Sequence, residues 1–294
     1  MKKTREMIEK HLSFVDVVCE VCDARIPVSS RNPIIEELTG SKTRILLLNK
    51  TDLADEDATK EWLAYLRKNK NVNRINTALT MNANNGQGLK KLFSELDDIA
   101  ERKLASGTNK ADIPLRLMIV GIPNSGKSSL INRLKGKRVA QVGDRPGVTK
   151  GKQWLTLDNG MQLLDTPGIL WPKFADPREG LNLAFCGSIK DEIMDITELG
   201  LMLIRVLVDK YKPLLEKRYD LSVGSDDFAD PDDDYSEEEY GEKEEALLYM
   251  EGIARKRGFI LPGARIDYER TARTVLDEFR EGKIGRITLE YPEV

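Results

Sequence analysis

Gly121-Ile122-Pro123-Asn124-Ser125-Gly126-Lys127-Ser128 is the stretch on which the reading of this chain turns. It fits G-x-x-x-x-G-K-[ST] without a mismatch. Ahead of it, Leu115-Arg116-Leu117-Met118-Ile119-Val120 reads as a buried strand, and behind it a helical pattern runs to about Leu134. Strand, glycine-rich loop and helix together let backbone N–H groups close around phosphates at a helix N-terminus, whose dipole favours anions. In that setting Asn124, Ser125, Gly126 and Ser129 belong to the cradle. Lys127 reaches the β- and γ-phosphates, and the Ser128 hydroxyl ligates Mg²⁺.

Downstream, Asp165-Thr166-Pro167-Gly168 follows a short apolar strand, Met161 to Leu164. Alone it is only a turn. After a phosphate loop it places a carboxylate, Asp165, to hold Mg²⁺ and a Gly168 N–H to sense the γ-phosphate. Thr149, in Asp144-Arg145-Pro146-Gly147-Val148-Thr149, sits where a switch threonine reaches Mg²⁺ and the γ-phosphate. Upstream, Ile45-Leu46-Leu47-Leu48 leads straight into Asn49-Lys50-Thr51-Asp52. The Asp52 carboxylate can accept from guanine N1–H and the 2-amino group, a pair of donors that adenine lacks. Asn49 can bond the base edge and nearby loop backbone, and the Lys50 stem can cover the base plane. The loop from Asn82 to Gly86, with Asn82 and Ala83 at its start, is the candidate to back the base through its main chain.

The rest of the pattern alternates strands with helices. Phe14 to Val21 reads as a strand ending at Asp23-Ala24-Arg25-Ile26-Pro27, and Arg74 to Met81 as another. Residues 4–13, 56–69 and a segment beginning at Leu89 read as helices, and a hairpin is expected around Asp158-Asn159-Gly160. Apolar strands entering polar loops predict a mostly parallel α/β sheet with flanking helices. After about residue 178 only helices are expected, at 192–211, 246–257 and 268–281. The predicted organisation is a nucleotide-binding domain over 1–178 and a small all-α domain over 179–294, with an acidic insert near 224–245.

The 294 residues carry a net charge of −3 and a mean hydropathy of −0.42. Between Asp226 and Glu245 lie twelve acidic residues and one lysine, which reads as a solvated loop. The remainder has 45 basic against 37 acidic residues, a net +8 compatible with a nucleic-acid partner. The longest apolar run, Leu199 to Val208, contains Arg205 and is too short to cross a bilayer. The N-terminus lacks the apolar stretch of a signal peptide. The three cysteines suit a reducing compartment, and Cys19 and Cys22 fall on opposite faces of a strand rather than forming a metal pair. A cytoplasmic protein without membrane contact is expected.

The base motif here precedes the phosphate loop, which reverses the usual order in GTPases. With Asp23-Ala24-Arg25-Ile26-Pro27, Ser30-Arg31-Asn32-Pro33 and Asp165-Thr166-Pro167-Gly168-Ile169-Leu170-Trp171-Pro172-Lys173, this order resembles the circularly permuted GTPases. Among them it is most similar to the ribosome biogenesis GTPase A family. The resemblance implies a permuted P-loop GTPase domain binding GTP, GDP and Mg²⁺. It also implies a K⁺ beside Asn124, as in potassium-activated GTPases, and a helical domain that contacts ribosomal RNA. The implied partner is the maturing large ribosomal subunit, with its ribosomal proteins as further contacts and a monomer off the ribosome. The alternative is a nucleotide-gated GTPase acting on another RNA or protein. Ile169 stands where many GTPases have a water-orienting Gln, so slow intrinsic hydrolysis is expected. Family members also carry a Pro-Gly-His-Met segment near the N-terminus. Here the chain begins at Met1-Lys2-Lys3, and His11, read as a solvated helix residue, does not match that position.

Overall fold

The computed structural model describes residues 6, 9–40, 42–71, 74–106, 113–135, 154–164, 176–221 and 245–292. The chain divides into two units, residues 1–175 with 290–294, and residues 176–289. The final five residues, expected in the helical domain, group instead with the first unit.

Among the described residues, the first unit is built on a six-stranded sheet. Its strands are β1 (Val17–Asp23), β2 (Thr43–Asn49), β3 (Thr77–Thr80), β4 (Arg116–Val120), β5 (Trp154–Thr156) and β6 (Gln162–Leu164), in the order β3-β2-β1-β4-β6-β5. All neighbours are parallel except β5 and β6, which form the expected hairpin. Gly160 turns that hairpin with φ +81°.

β1 is buried along its whole length, β2 and β4 nearly so, and side-chain alternation divides their residues between two faces. Val17, Cys19, Val21, Ile45, Leu47, Leu117 and Ile119 pack with α3 (Leu89–Ala105) and α4 (Lys127–Lys135). On the other face Val18, Met118 and Val120 meet Ile35 of α1 (Pro33–Thr39), while Cys22, Leu46 and Leu48 meet Trp62 and Leu66 of α2 (Glu56–Lys68). Cys19 and Cys22 therefore lie in different clusters, and burial pushes the Cys19 thiol up to about 12.

The same strand carries Glu20 at 0% exposure. Its carboxylate takes hydrogen bonds from the Arg44 guanidinium and from the Asn32 backbone N–H. Burying this carboxylate is tolerable because its oxygens are paired with a charge and a main-chain donor.

Several boundaries differ from expectation. β1 begins at Val17 rather than Phe14, whose ring is exposed, and β3 begins at Thr77 rather than Arg74. The apolar character of both segments continues outside the hydrogen-bonded ladder. Helix α1 is an addition to the expected pattern: Asn32 caps it and Pro33 stands in its first turn, where proline's missing N–H costs nothing. His11 is half-buried rather than solvated.

The second unit contains α5 (Pro177–Phe185), α6 (Ile196–Tyr219), α7 (Glu245–Arg257) and α8 (Tyr268–Arg280). It also contains a two-stranded hairpin, β7 (Ile260–Leu261) with β8 (Arg265–Ile266), so it is not purely helical. A Cβ on Gly200 would lie 2.4 Å from Ala272 Cβ, so glycine sets the close approach of α6 to α8. α6 was expected to end at Tyr211. It bends there, at φ −134°, and continues to Tyr219. Pro213, two residues on, lacks the N–H that an unbroken helix would use. Arg218 grips Glu278 through two bonds of 2.7 and 2.8 Å. Burial works against the Glu278 charge, but the Arg218 and Arg257 guanidiniums outweigh it and hold the carboxyl low.

Candidate nucleotide-binding site

In a parallel sheet the loops leaving the carboxyl ends of the strands share one edge, and the crevice opens where the strand order reverses direction. Here β2 and β3 lie on one side of β1, and β4 and β6 on the other. The loops after β1, β2, β3 and β4 start at Ala24, Lys50, Met81 and Gly121. The base motif and the phosphate loop, 72 residues apart from Asn49 to Gly121, are thus brought together with only β1 between their strands.

Asn49 joins them directly. Its Nδ2 donates to the Ser125 carbonyl at 2.8 Å, and its Oδ1 accepts the Ala83 N–H at 2.9 Å. One buried amide thereby spans the phosphate loop and the loop after β3. Gly126 has φ +96°, and a Cβ there would lie 2.1 Å from Asn49 Nδ2, so only glycine leaves room for this bridge.

Lys50 sits at φ +61° with its ammonium 3.0 Å from Asp23 Oδ2 at the end of β1. Arg25 holds the same carboxylate with bonds of 2.8 and 3.0 Å. Burial opposes ionisation of Asp23, yet the two cations and their hydrogen bonds overcome it and keep the carboxyl well below the usual range. Asp23 thus fixes where the Lys50 stem runs. The sequence marks Asp23 and Arg25 only as part of a stretch, since nothing local links them to a lysine 27 residues away.

The loop after β3 is closed by its own side chains. Asn82 Oδ1 accepts the Asn84 and Asn85 N–H groups at 2.9 and 3.3 Å. Thr51 N–H and hydroxyl both donate to the Met81 carbonyl, tying the base motif to β3. From α4, Arg133 reaches across to the Ala83 and Asn84 carbonyls. Arg133 carries no motif signal and was not foreseen.

The resulting cleft of about 270 Å³ is lined by Asn49, Lys50, Asn82, Ala83, Asn84, Asn124, Gly126, Lys127, Ser128 and Ser129. Lys127 is 7% exposed and its ammonium donates to the Ile122 carbonyl at 2.5 Å. The N-terminus of α4, where backbone N–H groups lack helical partners, opens beside it. A mostly buried cation, a glycine whose side chain would collide and a helix N-terminus fit a phosphate group.

Ser125 lies behind the cleft at 0% exposure, its hydroxyl turned to the Ile122 carbonyl. Asp52 is exposed just past Thr51 and is not among the lining residues. Thr149, Asp165 and Gly168, with Ile169, Lys173 and the acidic stretch 226–244, lie outside the described residues. Among the described residues no cluster of three metal-ligating side chains occurs, and no helix is long and apolar enough to cross a membrane.

Comparison with known proteins bears on the family and the fold. The family described as 50S ribosome-binding GTPase matches residues 116–222. A Ribosome biogenesis GTPase A from Bacillus cereus is 39% identical over 295 aligned residues, covering 100% of this chain and 92% of that protein. The Thermotoga maritima protein of that name is 32% identical, with 100% and 92% covered. The solved GDP-bound structure of Thermotoga maritima YlqF superposes with a TM-score of 0.66 at 30% identity, covering 98% of this chain and 100% of that one. Matched end to end by these relatives, the chain is a GTP hydrolase and belongs to the ribosome biogenesis GTPase A family.

Proposed function

We propose that this GTPase assists assembly of the large ribosomal subunit, holding guanine at residues 49–52 and 82–84 and the phosphates at residues 124–129. The observation that supports the reading is the Asn49 bridge, which ties the base motif to the phosphate loop and to the loop after β3. Asp52 accepts from the guanine N1–H and 2-amino group, Lys50 covers the ring, and Ala83 backs it through the main chain. Gly126 and the N–H groups opening α4 receive the phosphates, with Lys127 leaving the Ile122 carbonyl to meet the β- and γ-oxygens.

Ser128, with Asp165 and Thr149, would hold Mg²⁺, and Asn124 would hold K⁺. When bound, these ions offset charge that builds on the phosphates. Gly168 reports the γ-phosphate, and loss of that phosphate on hydrolysis releases the segment that follows it. Ile169 cannot orient water, so turnover alone is slow and rises on a ribosomal particle.

The second unit supplies the RNA contact. Lys256 and Arg257 of α7, Arg265 of β8, and Arg270 and Arg273 of α8 are exposed, and Ile260 and Leu261 of the β7–β8 hairpin are 43% and 41% exposed. Cations beside apolar side chains suit a phosphate backbone with unstacked bases. The protein would act in the cytoplasm, where ribosomal subunits are assembled. The test is GTP hydrolysis in potassium buffer with and without purified large subunits. Strong stimulation is expected. Normal GTP binding with no stimulation would contradict the ribosomal reading and favour a different partner.

A further inference from the structure

We propose that Glu290 is a positioning residue for the base end of the nucleotide site, an inference that rests on reading residues 49–52 as the guanine motif. Its carboxylate accepts the Val28 N–H at 2.6 Å, the Ser29 N–H at 3.1 and 3.2 Å, and the Ser29 hydroxyl. Its own carbonyl accepts the Trp62 indole N–H at 2.8 Å. One residue, 228 positions beyond Trp62, therefore joins the loop after β1 to helix α2.

That loop is the one that governs Lys50. At its near end the Ala24 N–H donates to the Asn49 carbonyl at 2.8 Å, and the Asp23 carboxylate holds Lys50. At its tip the backbone turns outward, with Val28 50% exposed, and the N–H groups of Val28 and Ser29 are met by the Glu290 carboxylate. Directly after the tip, Ser30 Oγ accepts the Asp23 N–H at 3.0 Å and donates to the Ile26 carbonyl at 2.6 Å, linking the tip back to Asp23. Bonds to an ionised acceptor are the stronger kind, so Glu290 is the firm anchor of this tip. Without it the tip loses three donors' worth of attachment. Asp23, at the other end of the same short loop, then holds Lys50 over the base less tightly. Asp23 acts on Lys50, which serves the base rather than the phosphates, so the effect falls on the base end of the site.

The test compares affinity for GDP with affinity for inorganic pyrophosphate, which reports the phosphate end alone, in the full chain and in Glu290→Ala. GDP binding is expected to weaken roughly 5- to 10-fold while pyrophosphate binding is unchanged. Glu290→Gln, which keeps an accepting oxygen, is expected to fall between. By reciprocity, GDP slows hydrogen exchange at the Val28 and Ser29 amides of the unaltered chain. Equal losses for GDP and pyrophosphate, or unchanged GDP affinity, would overturn the proposal. If Glu290→Ala does not fold, the exchange experiment decides it, and absence of GDP-dependent protection overturns it. An unaltered chain that binds ADP as tightly as GDP would instead overturn the reading of residues 49–52.

Discussion

The two ends of the proposed nucleotide cleft are held by different physics. The phosphate end, residues 121–129, is shaped by backbone: Gly121 and Gly126 at φ +152° and +96°, Asn124 at +58°, and a helix that starts at Lys127. The base end, residues 49–52 and 82–88, has left-handed residues of its own in Lys50, Gly86 and Gly88, but is tied together by side chains: the Asn49 amide, the Asp23–Lys50–Arg25 cluster, the Asn82 turn and the Arg133 clamp. A backbone cradle is compact in sequence and can be read from eight consecutive residues. A side-chain scaffold is drawn from four strands' worth of chain. That difference also explains why reversing the motif order leaves the site intact. Each motif needs only the carboxyl end of a parallel strand beside β1, and the order in which the chain visits β2 and β4 does not matter.

If the base end depends on charge, its largest sensitivity is Asp23. Asp23→Ala leaves Arg25 and Lys50 without a shared anion in a buried setting and is expected to cost about 3–5 kcal/mol, read from denaturant unfolding. A loss below about 1 kcal/mol would remove the distinction between the two ends. The sign of the pH dependence follows from the depressed carboxyl. The contribution of Asp23 is complete at neutral pH, begins to decline as pH falls through the ordinary carboxylate range where the unfolded chain takes up its proton, and is gone only in stronger acid.

At the phosphate end the sensitive feature is space. Gly126→Ala drives a methyl into Asn49 Nδ2 and is expected to weaken GDP and pyrophosphate alike by about 100-fold, roughly 3 kcal/mol. Selective loss of GDP alone would show that Gly126 serves the base end instead. The smallest effect concerns the thiols. Cys19, Cys22 and Cys186 are all buried, so a thiol reagent at pH 8 should label none of them until the chain unfolds. The raised Cys19 value means that its stabilising contribution holds below the ordinary thiol range and is lost as pH climbs toward about 12.

Much of the first unit was legible because its signals are local. The apolar runs of β2 and β4 and the eight-residue phosphate loop need no knowledge of distant residues. The buried Glu20–Arg44 pair was not legible, since an acid inside a valine-rich strand reveals its partner only once β1 and β2 are in register. Lys50 was placed over the base from its stem length, but the carboxylate that holds it was not named as its partner. Glu290 was beyond reach for the same reason, because its contacts lie more than 220 positions away. In the second unit helix periodicity was readable. The β7–β8 hairpin was not, since each strand is only two residues long.

The most direct measurement is the binding of GDP and xanthosine diphosphate to the unaltered chain and to Asp52→Asn. Xanthine carries a carbonyl where guanine carries the 2-amino group, so an amide donor at position 52 should favour it over guanine. The account predicts that preference reverses, with GDP weakened and xanthosine diphosphate strengthened. Retained preference for GDP, or equal loss of both, would contradict the claim that a motif lying ahead of the phosphate loop reads the base.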